Sequence, residues 1–138
     1  MEWEFDDDTP IYLQIIEHFK TEIAAGSLKA GDKIPPVREL AVSAGVNPNT
    51  MQKALSELER EGLLESKRTS GRFVADNMKE SEKLKDKLAA DLMEDFMKNM
   101  NKIGYTPKQS AAKYENYINS LNIMSDKVEK KKEGSNYE

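Results

Sequence analysis

The 138-residue sequence has no cysteine and only one histidine, His18. Without thiols the chain can form neither a disulfide framework nor a thiolate metal site, and one imidazole cannot form a histidine cluster. We therefore expect no metal and no cofactor. A chain of this length holds one ordinary domain or two small ones, which argues against a large enzyme.

Long apolar runs and catalytic motifs are missing as well. No stretch approaches the roughly 20 apolar residues of a membrane-spanning helix. Residues 1–8 alternate acidic and aromatic side chains, where a signal peptide would be basic and then apolar. We find no paired nucleophile and base and no phosphate-binding loop. These absences predict a cytoplasmic protein that is not an enzyme and has no membrane partner.

The chain also lacks the excess of positive charge that is typical of nucleic-acid-binding proteins. Residues 1–77 contain nine Lys/Arg against fourteen Asp/Glu, and the remaining residues contain twelve against eleven. Phosphate backbones favour basic surfaces, so composition alone does not favour DNA. Lys67, Arg68 and Arg72 are a local exception, because they lie within six residues that contain no acid. Evidence for a DNA partner must come from the pattern along the chain.

Three helices are predicted in the first 62 residues, over residues 10–26, 36–45 and 47–62. Each has a proline at or near its first turn and a glycine at its end, which are typical helix boundaries. Between these boundaries, apolar residues recur at the three- and four-residue spacing of a buried helical face. A short turn containing Gly45 joins the second helix to the third. This order is typical of a helix-turn-helix.

A small β-hairpin and two longer helices are predicted next. Residues 63–66 and 72–75 form two strands around the loop Thr69, Ser70 and Gly71. We therefore predict a mainly α fold with a small β wing. It comprises a winged helix-turn-helix over residues 9–76, a two-helix dimerisation or effector segment over 77–130, and a flexible tail over 131–138. The apolar residues predicted to form the dimer interface are Leu84, Leu88, Leu92, Phe96, Met100, Ile103, Tyr114, Ile118 and Leu121.

Residues 10–74 resemble the DNA-binding domain of the GntR family of bacterial regulators. The matching positions are Gly31-Asp32, Ile34-Pro35, Arg38 to Ala41, Val46, Thr50, Ala54-Leu55, Leu58, Gly62-Leu63 and Gly71 to Val74. The motif over residues 47–50 and the short C-terminal segment look like the YtrA-type subgroup. The resemblance implies a homodimeric repressor of an operon, such as one encoding an ABC transporter, that binds double-stranded operator DNA.

The predicted DNA contacts come from three elements. The third helix would enter the major groove by its N-terminal end, where Asn49, Gln52 and Lys53 are the expected base readers. The complete set of predicted contacts is Arg38, Asn47, Asn49, Thr50, Gln52, Lys53, Lys67, Arg68, Ser70, Gly71 and Arg72. The resemblance to the family implies that Arg38 occupies the position of a DNA-contacting arginine. In contrast, this chain has Pro48 and Gln52 at positions where many family members have arginine. The operator sequence therefore cannot be carried over from the family.

Alternative interpretations of these residues remain open at this point. Arg38 could pair with Glu39 on the surface, and Asn47 could act first as a helix cap. Methionines near Phe96 could line a pocket for a small-molecule effector of unknown identity, although such residues more often fill a core or an interface. The winged domain could also be a protein-interaction module with little DNA affinity. If the chain binds DNA as a dimer, its half-sites should be spaced by about 10 bp or a multiple.

Overall fold

Five helices and three short strands follow one another in the described part of the chain. The computed structural model describes the backbone of residues 1–136 and the side chains of residues 1–122. The elements are α1 (Ile11–Ala25), β1 (Lys33–Ile34), α2 (Val37–Ala44), α3 (Pro48–Arg60), β2 (Leu64–Lys67), β3 (Gly71–Val74), α4 (Met78–Lys102) and α5 (Pro107–Asn136). This order confirms the predicted mainly α fold with a small β wing.

The chain divides into a compact unit over Met1–Ala89 and a second unit that begins at Ala90. The domain bounds 9–76 and 77–130 stay predictions, and so does the tail over 131–138, of which residues 137 and 138 lie outside the described part. Within the described residues, no helix is both long enough and apolar enough to cross a membrane.

The first three helices begin and end close to the predicted residues. Gly26 and Gly45 follow α1 and α2 with φ of 83° and 69°, in the left-handed region that glycine adopts without strain. In each case the glycine N–H bonds carbonyls of the last helical turn, which closes the helix. Pro10 and Pro36 lie immediately before α1 and α2, and neither position has a side-chain cap.

The three strands form one antiparallel sheet in the order β1-β3-β2. The hairpin lies one residue away from its predicted position, because Lys67 pairs with Gly71 and the loop is Arg68 to Ser70. The Ser70 N–H donates to the Lys67 carbonyl at 3.1 Å and tightens this loop. Strand β1 pairs with β3 through Lys33 and Ile34.

The core lies where α1, α2 and α3 meet the inner face of the sheet. Its fully buried side chains include Phe19, Ile15, Ile34, Met51, Leu55 and Leu58. Burying one large apolar side chain stabilises a fold by about 1.5–3 kcal/mol, so these few residues dominate the stability of the winged domain. Leu84 is buried in the same core, and Leu88 packs against it.

The N-terminal residues form an arm that packs on α1, which the sequence did not predict. The Trp3 ring stacks on His18 with ring centroids 4.2 Å apart and meets Phe19 edge-on at 5.9 Å. Gln14 on α1 stabilises the backbone at Asp6, because its side-chain amide accepts a hydrogen bond from Asp6 N at 2.9 Å and donates one to Asp6 O at 2.9 Å. Residues 1–8 therefore contribute to the core of the first unit.

Docking of this arm should weaken in mild acid. Burial lowers the pKa of His18 below its ordinary 6.5; Glu22 opposes the shift and the N-terminal amino group adds to it. The neutral imidazole is thus favoured when the arm is docked, so its contribution is complete above pH 6.5 and is lost as the pH falls through the lowered value. Moreover, His18 Nε2 is buried with no hydrogen-bond partner among the described residues.

Trp3 is the only tryptophan, so its fluorescence reports arm docking directly. Between about pH 7.5 and about pH 5.5, we expect its emission to shift to longer wavelength as the indole becomes hydrated. His18→Phe keeps a ring against Trp3 and removes the titration, so this control should show no shift over the same range. Unchanged emission in the native chain would mean that protonated His18 stays stacked on the indole.

Helices α4 and α5 have their own local caps. The Asn77 side chain accepts from the Glu80 N–H at 3.4 Å at the start of α4. Thr106 Oγ1 accepts from Gln109 N at 3.2 Å while Gln109 Oε1 accepts from Thr106 N at 3.0 Å, which is a reciprocal capping box. Thr106 therefore caps the start of α5.

Candidate nucleic-acid interface

The N-terminus of α3 begins with an asparagine cap. Asn47 Oδ1 accepts from the Asn49 N–H at 2.8 Å, and Pro48 occupies the first turn. Proline has no N–H and the Asn49 amide is already bonded, so at most the amide of Thr50 remains in this turn for a phosphate. Backbone amides at this end of α3 therefore offer little to an anion, and side chains must make most of any contact with DNA here.

The predicted base readers lie on the exposed face of α3. Asn49, Gln52 and Lys53 are exposed, and Thr50 is half-buried. The opposite face of the helix is buried through Met51, Ala54, Leu55 and Leu58. This separation leaves the polar side chains available to an external partner, as a recognition helix requires.

Two of these readers have intramolecular contacts that limit their free rotamers. Gln52 Nε2 donates to Ser56 Oγ at 3.1 Å on the same helix face. The Lys53 ammonium lies 3.9 Å from the centre of the Tyr12 ring, a cation–π contact with α1. Lys53 is therefore directed toward α1, whereas Asn49 makes no described side-chain bond and projects from the first turn.

Arg38 lies exposed in the first turn of α2. Among the described residues it has no carboxylate within 4.0 Å, so the surface pair with Glu39 does not form. An uncompensated guanidinium is suited to a phosphate, which it can contact through two parallel N–H groups.

The wing and the start of α2 border an open groove with a volume of about 540 Å³. Lys33, Lys67, Arg68 and Arg72 contribute positive charge to its lining. The Lys67 ammonium lies 4.7 Å from the centre of the Phe73 ring. Gly71 has φ of 106°, in the left-handed region, so a residue with a side chain would strain the backbone here. Arg68 and Ser70 are exposed in the loop.

Arg72 is placed differently from the other wing residues. Its Nε donates to Glu59 Oε1 at 2.9 Å, and its side chain is only 16% exposed. Ser66 Oγ donates to the same carboxylate oxygen. The structure therefore holds Arg72 on α3 and not at the tip of the wing.

The predicted dimer residues fall into two groups. Leu84, 8% exposed, and Leu88 are covered by the core of the first unit, so they offer little apolar surface to another chain. In the second unit, the exposed members are Leu92, Phe96, Ile103, Tyr114 and Leu121, and the half-buried members are Met100 and Ile118. An apolar groove of about 420 Å³ is lined by Leu92, Met93, Phe96, Met97, Ala111 and Tyr114.

Among the described residues, no three His, Cys, Asp or Glu side chains are grouped so that they could hold a metal ion. The sequence did not reveal which residues contact the predicted DNA-binding side chains. Glu59 pairs with Arg72, the Tyr12 ring lies beneath Lys53, and the Phe73 ring lies beneath Lys67. For Arg72 a signal was available in the sequence. Residues two apart on a strand share a face of the sheet, and Val74, two residues after Arg72, is an apolar residue of the core.

Known proteins with related sequences are transcriptional regulators and not enzymes. The sequence profile described as "Bacterial regulatory proteins, gntR family" matches residues 11–74. The chain is 40% identical over 109 residues to the "Uncharacterized HTH-type transcriptional regulator YhcF" of Bacillus subtilis, a match that covers 79% of this chain and 90% of YhcF. It is 51% identical over 71 residues to the "HTH-type transcriptional repressor YtrA" of the same species, covering 51% of this chain and 55% of YtrA.

Solved structures show the same relationship. A GntR family transcriptional regulator from Listeria monocytogenes superposes with a TM-score of 0.73 at 38% identity, covering 81% of this chain and 98% of that chain. The AraR DNA-binding domain in complex with operator ORX1 superposes with a TM-score of 0.50 at 34% identity, covering 54% of this chain and 96% of that chain. The Listeria match extends well beyond the winged domain.

Proposed function

The chain belongs to the GntR family of bacterial regulatory proteins, and from this membership we propose that it is a dimeric repressor that binds an inverted-repeat operator. The observation that carries the proposal is the exposed polar surface formed by the first turns of α2 and α3 and by the wing loop. Arg38, Asn49 and Arg68 are exposed and have no described side-chain bond, so they are available to contact an external partner. The AraR domain, of similar fold, is named as an operator complex.

Within this proposal, each of the three elements has a distinct role. Asn49 and Gln52 read base edges in the major groove, since an amide can pair bidentately with adenine. Arg38 contacts a phosphate, which fixes the register of the protein on DNA, and Lys53, directed toward α1 by the Tyr12 ring, contacts a phosphate in place of a base. The wing loop places Lys67, Arg68 and Ser70 along the flanking backbone or minor groove. Asn47 and Thr50 support the first turn of α3 against the DNA.

A second copy of the chain is the proposed partner of the apolar surface on α4 and α5. Leu92 on α4 is 69% exposed, and Ile103, just beyond the end of α4, is 70% exposed, although large apolar side chains are more often covered by a core or an interface. Packing against an identical surface would cover them and bring together two winged domains. Two domains related by twofold symmetry read two half-sites of opposite direction, so the operator should be an inverted repeat.

Repression of a transport operon is proposed by analogy. The relative YtrA is named as a repressor. A dimer of this size that occupies a promoter would exclude RNA polymerase, and we propose an operon for an ABC transporter as the target. A DNA-binding regulator of this kind acts in the bacterial cytoplasm, where the chromosome lies.

Selection of bound duplexes from a random pool tests this function, followed by fluorescence anisotropy on the enriched site. We expect an inverted repeat to be enriched and to bind with an affinity that falls steeply between about 50 and about 200 mM salt, because binding releases counterions from phosphates. An absence of enrichment and of measurable affinity would instead support the protein-interaction module.

Arg38→Ala should weaken operator binding by about tenfold or more and lower the salt slope by about one, because one phosphate contact is lost. Arg60→Ala is the matched control. It removes the same charge from the C-terminal end of α3, away from the first turn that is proposed to read DNA, and Arg60 pairs there with Glu57. The control should keep both the affinity and the slope. Equal losses in the two variants would show that Arg38 acts only through net charge.

A further inference from the structure

The Glu59–Arg72 pair connects the wing to the helix proposed to read DNA. Glu59 lies in the last turn of α3, and Arg72 lies in β3, the central strand of the sheet. The Nε–Oε1 distance is 2.9 Å, and the side chains are 16% and 28% exposed for Arg72 and Glu59, respectively. Ser66 on β2 donates to the same oxygen of Glu59, so both strands of the hairpin are bonded to α3.

The pleat of the sheet explains why Arg72 faces α3. Residues directly opposite each other on neighbouring strands point to the same face, and faces alternate along a strand. Arg72 lies opposite Ile34 on β1 and opposite Ser66 on β2. Ile34 is buried in the core, as is Val74, which lies two residues beyond Arg72 on β3. Arg72 therefore belongs to the core-facing side of the sheet.

The ion pair is charged under ordinary conditions. Burial raises the pKa of Glu59, but the hydrogen bonds from Ser66 and Arg72 and the charge of Arg72 outweigh burial, so the net pKa lies below its ordinary 4.5. Partial burial matters here, since a fully exposed pair would be screened by water and would hold the strands only weakly.

We propose that Glu59 and Arg72 are positioning residues that set the angle of the wing against α3, and that Arg72 does not itself contact the operator. This assignment rests on the proposed function, and it replaces the DNA contact that the sequence predicted for Arg72. Arg68, exposed in the loop, is the arginine of the hairpin that reaches phosphate. Glu59 then acts on DNA binding through Arg72 and Ser66, although it is an acid.

Operator affinity of the full chain and of three variants tests the assignment. Glu59→Gln and Arg72→Gln should each weaken binding by about tenfold, and the double variant should be no weaker than either single variant, because each change breaks the same pair. The salt slope of Arg72→Gln should equal that of the native chain. Arg68→Gln is the matched control, and its slope should fall by about 0.9.

A direct phosphate contact by Arg72 gives the opposite pattern. Glu59→Gln would then bind as tightly as the native chain or more tightly, since an acid near DNA is removed, while Arg72→Gln would lose both affinity and slope. That pattern would overturn the assignment. Additive losses in the double variant would also overturn it, as would native affinity in both single variants.

Hydrogen exchange without DNA separates this assignment from the proposed function. The Ser70 amide, bonded to Lys67 O within the hairpin, should exchange faster in both Glu59→Gln and Arg72→Gln while the amides of α1 keep their protection. Unchanged exchange at the wing would overturn the positioning role even if the native chain binds its operator. Faster exchange in a chain that binds no operator would refute only the proposed function.

Discussion

Phe19→Ala should lower the free energy of unfolding of the winged domain by about 3–5 kcal/mol, the range for a large buried aromatic side chain. Phe19 is 0% exposed and lies in the core. It also meets the Trp3 ring edge-on. The loss combines apolar burial with the cavity left behind. Since domains of this size are stable by only about 5–15 kcal/mol, the variant should be partly unfolded at growth temperature.

Chemical denaturation followed by circular dichroism measures this loss, and Leu13→Ala is the matched control. Leu13 lies on the same helix and is 41% exposed, so its truncation should cost less than about 1 kcal/mol. If the two variants lost equal stability, Phe19 would not be central to the core. The fluorescence of Trp3 should also change in Phe19→Ala, because the arm loses one of its two aromatic contacts on α1.

Leu92→Asp should dissociate the proposed dimer and lower operator affinity by about 100-fold or more. The exposed leucine is proposed to lie in the interface, where an aspartate would bury a charge and face its symmetry mate. Operator binding falls because two linked half-site contacts become two independent ones. Analytical ultracentrifugation gives the oligomeric state, and anisotropy gives the affinity.

Asn101→Asp is the control for this experiment. Asn101 is exposed on α4 and lies nine residues beyond Leu92, which places it on the opposite side of the helix. It adds the same charge without touching the proposed interface, so both dimer and affinity should be retained. A native chain that sediments as a monomer and still binds an inverted repeat with high affinity would contradict the dimer proposal.

Helix boundaries and the family relationship could be predicted from the sequence because their signals are local. Proline restricts its own backbone and glycine tolerates a left-handed φ, so the glycine at 45 ends its helix in the structure as the sequence indicates. The cap at Asn47 is equally local, since donor and acceptor are two residues apart. The hairpin was predicted one residue out of position, because short strands have weak local signals.

The roles of several charged and apolar residues could not be predicted in the same way. Leu84 continues the spacing of the predicted interface, yet it is buried in the core of its own chain. Periodicity identifies the apolar face of a helix but not the surface that covers it. Residues 1–8 alternate acidic and aromatic side chains, and only the structure shows that Trp3 and Phe5 pack against the core.

By itself the sequence determined that this chain is a winged-helix regulator of the GntR family, with three helices, a wing and two further helices in a known order. Tertiary structure alone decided which charged groups are available to a partner. Arg38 has no described ion partner, whereas Arg72 meets Glu59 across 13 residues of chain. The physical reason is that this ion pair forms only when a strand and a helix pack together. The spacing of residues along the chain does not indicate that Arg72 and Glu59 come within hydrogen-bonding distance.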